Sequence, residues 1–345
     1  MKKKVLSVLL CVAMTFSIFA GCGKKDEMAE NTEIAEGGTY AFVPKSADNA
    51  FNEKEAEGFK KAVEAAGGTA IISYPKEATV DAQLLAIESV IFQGVDGVCI
   101  AANDFEALSV AIGEVQDAGI KVCSVDSAVE PSSRLVHCNQ AGVNEIAKAL
   151  MDAVLDITGG EGQFAVLSSE AKAANQIAWV DEMRNLLETD SKYSNLELVE
   201  VAYGDDDSEK SKDQAKKLLE NYPELKMICA PTTVGMLASA EVISEQESSV
   251  KLTGLGLPSE MKDYMGDDAI CPYMFLWNPN DLGALGAYTI MALCNDEITG
   301  AEGEKFSCVM GDYTIQSAVD GGTEIILGSP FKFDSSNVSE WAKVY

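Results

Sequence analysis

The chain has 345 residues, with 55 acidic against 26 basic side chains and a formal net charge of −29. A surface that acidic repels phosphate backbones, which excludes nucleic acid as a partner. With a single histidine and no GxSxG, HExxH or GxxxxGK[ST] pattern, no hydrolytic nucleophile, zinc-protease or nucleotide-cradle motif stands out, and no cofactor or metal is expected.

Lys2, Lys3 and Lys4 precede an apolar stretch from Val5 to Ala20, too short for a comfortable membrane span, which ends in Phe19-Ala20-Gly21-Cys22. That order resembles a bacterial lipobox. It makes residues 1–21 a lipoprotein signal peptide and Cys22 the lipidated first residue of the mature chain. Residues 22–38 are polar, charged and without apolar periodicity, and they read as a flexible tether. Of the nine cysteines, seven remain after Cys11 and Cys22, in apolar runs and without CxxC spacing. An odd number of such thiols reads as small core residues rather than a disulfide framework or a metal cluster.

From residue 39 onward, strand and helix patterns alternate. Thr39–Pro44 is a strand, followed by a helix from Asn52 whose apolar residues Ala56, Phe59, Ala62, Val63 and Ala66 recur at three- and four-residue steps. Thr69–Tyr74 is a strand, Val80–Phe92 a helix, Asp96–Ala101 a strand and Phe105–Ala118 a helix. Ile120–Val125 is a strand that delivers Asp126 at its carboxyl end, and Leu135–Cys138 follows after a Glu-Pro-Ser-Ser turn. The alternation then restarts: helices at 142–155, 176–187, 210–219 and 234–245, strands at 163–168, 196–203, 226–230, 252–255 and 271–276. Asp281–Leu293 reads as a helix returning to the first half, and 306–309 and 324–327 as edge strands. The expected fold is α/β: two doubly wound parallel-sheet lobes with several chain crossings between them. The expected division is 39–139 plus 279–305 for the N-terminal lobe, 140–278 plus 306–333 for the C-terminal lobe, and a tail at 334–345.

Ligands of such sheets meet the carboxyl ends of the strands. Lys45, Asn103, Asp104, Asp126, Asn175, Gln176, Thr232, Thr233 and Asn278 each follow a strand or open a helix, and Phe51, Trp179 and Trp277 lie close by in sequence. Amides and a carboxylate supply fixed donors and acceptors, and aromatic rings cover C–H faces, so the set suits a neutral polyhydroxylated ligand. Each residue taken alone reads equally as a helix cap. The run Asp205-Asp206-Asp207 reads as a solvated loop with Ser208 as the following helix's N-cap, in preference to a calcium site.

Several runs carry a more specific resemblance: Ala41-Phe42-Val43-Pro44-Lys45, Ala102-Asn103-Asp104, Val125-Asp126-Ser127, Asn175-Gln176-Ile177-Ala178-Trp179, Ala230-Pro231-Thr232-Thr233-Val234-Gly235, 254–261 and Leu276-Trp277-Asn278-Pro279. They resemble the rhamnose-binding branch of the periplasmic sugar-binding proteins, the solute receptors of ABC transporters, to which autoinducer-2 receptors are close. The resemblance implies a type I periplasmic-binding-protein fold with a three-crossing hinge and a sugar held between the lobes. Lys45, Asp126, Asn175, Gln176, Pro231 and Thr233 fall at its ligand-contact positions, with Asn103, Thr232 and Trp277 lining the same cleft. Asn175 stands where autoinducer-2 receptors carry an acid, and Thr233 where they carry alanine; both favour the sugar branch. The implied partners are a monosaccharide, the permease subunits and, through the lipid on Cys22, the outer face of the cytoplasmic membrane, with the protein itself a monomer. An autoinducer-2 receptor or a chemosensory ectodomain is the alternative.

Overall fold

The computed structural model describes residues 37–345 except Asp48. The predicted signal peptide, the lipid acceptor Cys22 and the tether through residue 36 lie outside the described residues.

The chain begins with β1 (Thr39–Val43), α1 (Ala50–Ala65), β2 (Thr69–Ile72), α2 (Val80–Ile91), β3 (Gly97–Ile100), α3 (Ser109–Asp117), β4 (Lys121–Val125) and β5 (His137–Asn139). It crosses to α4 (Val143–Ile157), β6 (Gly162–Ser168), α5 (Ala174–Thr189), β7 (Leu196–Tyr203), α6 (Ser208–Asn221), β8 (Leu225–Ala230), α7 (Thr233–Glu245), β9 (Lys251–Gly254), α8 (Pro258–Met261) and β10 (Tyr273–Leu276). It returns through α9 (Pro279–Cys294), β11 (Lys305–Cys308), β12 (Gly311–Thr314), β13 (Gln316–Ser317) and β14 (Thr323–Ile326), and finishes with β15 (Phe331–Asp334) and α10 (Val338–Trp341).

The first sheet has the order β13-β14-β5-β4-β3-β1-β2, parallel except for β13. Its strands bury alternate residues on opposite faces, as a doubly covered parallel sheet requires. Ala41, Val43, Val98, Ile100 and Val122 pack with Ile87, Val90, Ile112 and Val115 of α2 and α3. Tyr40, Phe42, Cys99, Cys123 and Cys138 face the other way, in one cluster with Phe59 and Val63 of α1 and Leu285 and Ile290 of α9. The second sheet, β7-β6-β8-β9, is parallel throughout. Beside it β10 and β15 pair antiparallel, tied on by a Leu255–Phe275 bridge.

The two lobes are joined at residues 140–142, 277–278 and 327–330. The third crossing runs along the first: Leu327 N–H donates to Asn139 O at 2.9 Å and Gly328 N–H to Gln140 O at 3.2 Å.

Two expected boundaries are corrected. The segment 306–333 does not belong wholly to the second lobe, because β14 pairs in parallel with β5 through Glu324–His137, Ile325–Cys138 and Ile326–Asn139. The chain leaves the first sheet only after Ile326. Nor is 334–345 a separate tail. Trp341 and Tyr345 meet Phe333 edge to face, and Tyr345 is buried with its carbonyl accepting from Ser259 N–H. The local strand patterns were readable, but which sheet a short strand joins is a non-local choice.

One close approach places the site. Helices α1 and α9 cross at Gly58 and Gly283. A Cβ at Gly58 would stand 1.9 Å from Asn280 O, and one at Gly283 1.9 Å from Glu55 O. Only hydrogen fits there, and that proximity brings the start of α1, carrying Phe51 and Asn52, against Trp277 at the head of α9.

Candidate functional site

The polar residues converge where the carboxyl ends of the two sheets face each other. Lys45 follows β1 and Asp126 follows β4; both are about 5 % exposed. Their side chains pair at 3.5 Å. Asp126 has φ +57°, a left-handed conformation that Asp tolerates better than most residues, and this turn ends β4 with the carboxylate at the cleft. From the second lobe, Asn175 in the first turn of α5 reaches across to donate its Nδ2 to Asp126 Oδ1 at 3.2 Å.

A framework of fixed hydrogen bonds stands behind these groups. Gln83 Nε2 bridges the carbonyls of Pro44 and Ala101, holding the ends of β1 and β3 together. Its Oε1 accepts from Asn103 N–H, and Asn103 Nδ2 donates to the carbonyl of Lys45 at 2.8 Å. In the second lobe, Gln176 accepts from Ser168 Oγ at 2.6 Å and donates to Pro231 O at 2.9 Å. Asn49 caps α1 by accepting from the N–H groups of Phe51 and Asn52.

The pocket enclosed by these groups measures about 40 Å³. Lys45, Asp126, Asn175 and Gln176 line it with Thr232 and Thr233; Pro231, Leu255 and Leu276 complete the wall. Phe51 and Trp277 meet edge to face at 6.3 Å, and Trp179 leans on Trp277 at 5.9 Å, forming an aromatic side.

Two carboxylates that the sequence reading left out of the site belong to it electrostatically. Asp206, read as part of a solvated loop, lines the pocket and accepts from Thr232 Oγ1 at 2.7 Å. Burial, with Glu170 beside it, pushes its pKa up to about 7. Glu170, just past the end of β6, accepts from Ser169 Oγ through one oxygen, and the other has no partner among the described residues. Burial opposes the charge on Lys45, but Asp126, Glu170 and Asp206 outweigh it and hold its pKa above that of an ordinary lysine. For Asp126, burial pushes the carboxyl up while Lys45 pulls it back. Deeper in the first lobe, fully buried Glu55 has no hydrogen-bond partner, and burial drives its pKa well upward. The sequence signal for Glu170 was its position after a strand. For Asp206 no local signal existed, since the inward turn comes from φ +52° and +51° at Asp205 and Asp206.

Three expected site residues sit elsewhere. Asn278 is the N-cap of α9, accepting from Asn280 N–H at 3.0 Å, and it lines a separate cavity. Asp104 accepts from Glu106 and Ala107 N–H and pairs with Lys172 at 3.5 Å; it lines a larger neighbouring cavity. Asn103 braces Lys45 from behind, although its Oδ1 is buried without a partner. The cap of α6 is also reassigned: Asp207, not Ser208, accepts from Lys210 N–H. At Asn278 and Asp207 unsatisfied helix N–H groups claimed the side chain, and at Asp104 the N–H groups of a turn did.

Residues 40–298 match the family described as periplasmic binding protein domain. The chain belongs to the periplasmic binding protein family. Members of this family carry solutes and are not enzymes, in keeping with a pocket of amides, acids and rings. Among solved structures, an ABC transporter solute-binding protein from Clostridium phytofermentas with bound L-rhamnose is 52% identical, with a TM-score of 0.88 over 90% of this chain and 100% of that one. A sugar ABC transporter protein from Actinomyces odontolyticus is 35% identical, with a TM-score of 0.69 over 88% and 97%. LsrB from Clostridium saccharobutylicum in complex with AI-2, at 22% identity and TM-score 0.81 over 88% and 99%, shares the fold of this periplasmic binding protein.

Proposed function

We propose that this protein is the receptor of an ABC sugar importer and that it holds a 6-deoxyhexose, L-rhamnose or a near analogue, between its lobes for delivery to a membrane permease. The observation that carries the reading is the 52% identity, over the full length of that relative, to a solute-binding protein with L-rhamnose bound. The pocket's chemistry supports it. Asp126 accepts from two neighbouring hydroxyls, Lys45 donates, and Asn175 serves a hydroxyl of either polarity. Trp277 Nε1 is buried without a protein partner and offers one more donor. The ring faces of Phe51, Trp179 and Trp277 accept a methyl-bearing sugar face. Closing the lobes over the ligand excludes water from these bonds.

The reading includes anchoring through a lipid on Cys22 at the outer face of the cytoplasmic membrane, and action as a monomer. Metabolic labelling with a fatty-acid analogue is expected to mark the wild type and not Cys22→Ser. Sizing chromatography with and without ligand is expected to give one protomer. A thermal-shift panel tests the ligand. L-rhamnose is expected to raise the melting temperature clearly more than glucose, ribose or autoinducer-2. Stabilisation by autoinducer-2 and not by rhamnose overturns the assignment.

A further inference from the structure

The cleft holds a second, larger cavity of about 450 Å³ next to the sugar pocket, and Asn175 and Trp179 line both. It is bounded by both lobes, and the Lys172–Asp104 pair spans its rim. Two large apolar side chains left exposed line it from opposite lobes: Ile177, 42 % exposed, and Val319, 78 % exposed. Phe105, Ala128 and Ala178 extend the apolar wall.

Several polar groups of this wall are already paired. Asn139 donates to Glu324, Glu324 also accepts from Gln316, His137 is bonded to Ser124, and Asp320 to Arg134. Among the described residues, the buried polar atoms without a partner include Trp277 Nε1, Asn103 Oδ1 and Glu170 Oε1 around the sugar pocket, and none on this wall. An apolar group would cover Ile177 and Val319, the most exposed apolar side chains of this wall, which a second sugar's hydroxyls would leave unserved.

Resting on the reading above, we propose that the ligand class extends to 6-deoxyhexosides with an alkyl or aryl aglycone, the sugar in the small pocket and the aglycone in the larger cavity. The aglycone passes from one space to the other past Asn175 and Trp179, which line both.

Titration calorimetry on the mature chain with four probes tests this: L-rhamnose, methyl α-L-rhamnoside, 4-nitrophenyl α-L-rhamnoside and a rhamnose-containing disaccharide. The aryl glycoside is expected to bind at least tenfold tighter than the methyl glycoside. The double variant Ile177→Gln, Val319→Glu is expected to abolish that gain while leaving rhamnose affinity unchanged, since neither residue lines the sugar pocket. Equal affinity of the aryl and methyl glycosides, a preference for the disaccharide, or a gain that survives the double variant overturns the proposal. In each of those outcomes rhamnose itself still binds; failure of rhamnose to bind refutes instead the monosaccharide assignment.

Discussion

Replacing Asp126 by Asn tests the site with little disturbance of shape. Asn matches Asp in size and is enriched, like Asp, at positive φ, so the turn at φ +57° survives, whereas Ala would add backbone strain. A hydrogen bond to a charged acceptor is worth roughly 1.5–3 kcal/mol and a neutral one about 0.5–1.5. Neutralising the acceptor of two sugar hydroxyls therefore costs about 2–3 kcal/mol, and at ~1.4 kcal/mol per decade rhamnose should bind roughly 30- to 150-fold more weakly. The fold should also lose some stability, because Lys45, only 4 % exposed, loses the partner 3.5 Å away. Glu170 and Asp206 remain to compensate it in part. Calorimetry at a temperature where circular dichroism shows the variant folded reads the affinity. An affinity within twofold of wild type in that folded variant refutes Asp126 as the hydroxyl acceptor.

Asp206 predicts a pH dependence. Its carboxyl is raised from 3.8 to about 7, so its contribution to stability is full below pH 4 and disappears as pH rises through about 7. The melting temperature should fall between pH 5 and 8.5; Asp206→Asn should flatten that slope, and an unchanged slope refutes the assignment. Glu260 titrates in the same range, and the difference between the two proteins removes its part. Asn278→Ala should cost about 1 kcal/mol in a denaturant titration through the lost cap on α9 while sugar affinity stays unchanged; weaker binding would return Asn278 to the site. Gly283→Val should destabilise by about 1–3 kcal/mol or more, because its Cβ meets Glu55 O, and should quench sugar binding with it; wild-type denaturation would mean that α1 and α9 separate freely.

The lobes were legible because parallel strands buried on both faces read as apolar runs, and because helices of regular length separate them. The strand-end rule picked out Lys45, Asp126, Asn175 and Thr232, which line one pocket, each placed by the termination of a strand or the opening turn of a helix. It also drew in Asn278 and Asp104, whose polar chemistry serves a helix end and a turn respectively. It missed Asp206, which nothing in a run of three aspartates distinguishes from its neighbours. The family resemblance pointed to Pro231 and Thr233, which line the same pocket and which residue type alone would not single out. The path of the chain after α9 stayed hidden because β14 joins β5 by a pairing nearly two hundred residues apart, and such pairings leave no periodic trace.

The charges around the pocket argue for its ligand independently of shape. Among the described residues lining it, Lys45 is the only cation, and it belongs to the first lobe with its partner Asp126. Asp206 lines the pocket from the second lobe and Glu170 stands near it, so closing the lobes brings further acids towards the one pair. An anionic sugar, a uronate or a sugar phosphate, would add negative charge where acids already outnumber the lysine, in a setting too dry to screen it. A neutral sugar brings hydroxyl donors instead, which can satisfy Asp126 without adding charge, while Trp277 and Phe51 offer rings to its C–H faces. The excess of carboxylate, more than the volume of the cleft, is the ground for proposing an uncharged carbohydrate as this protein's ligand.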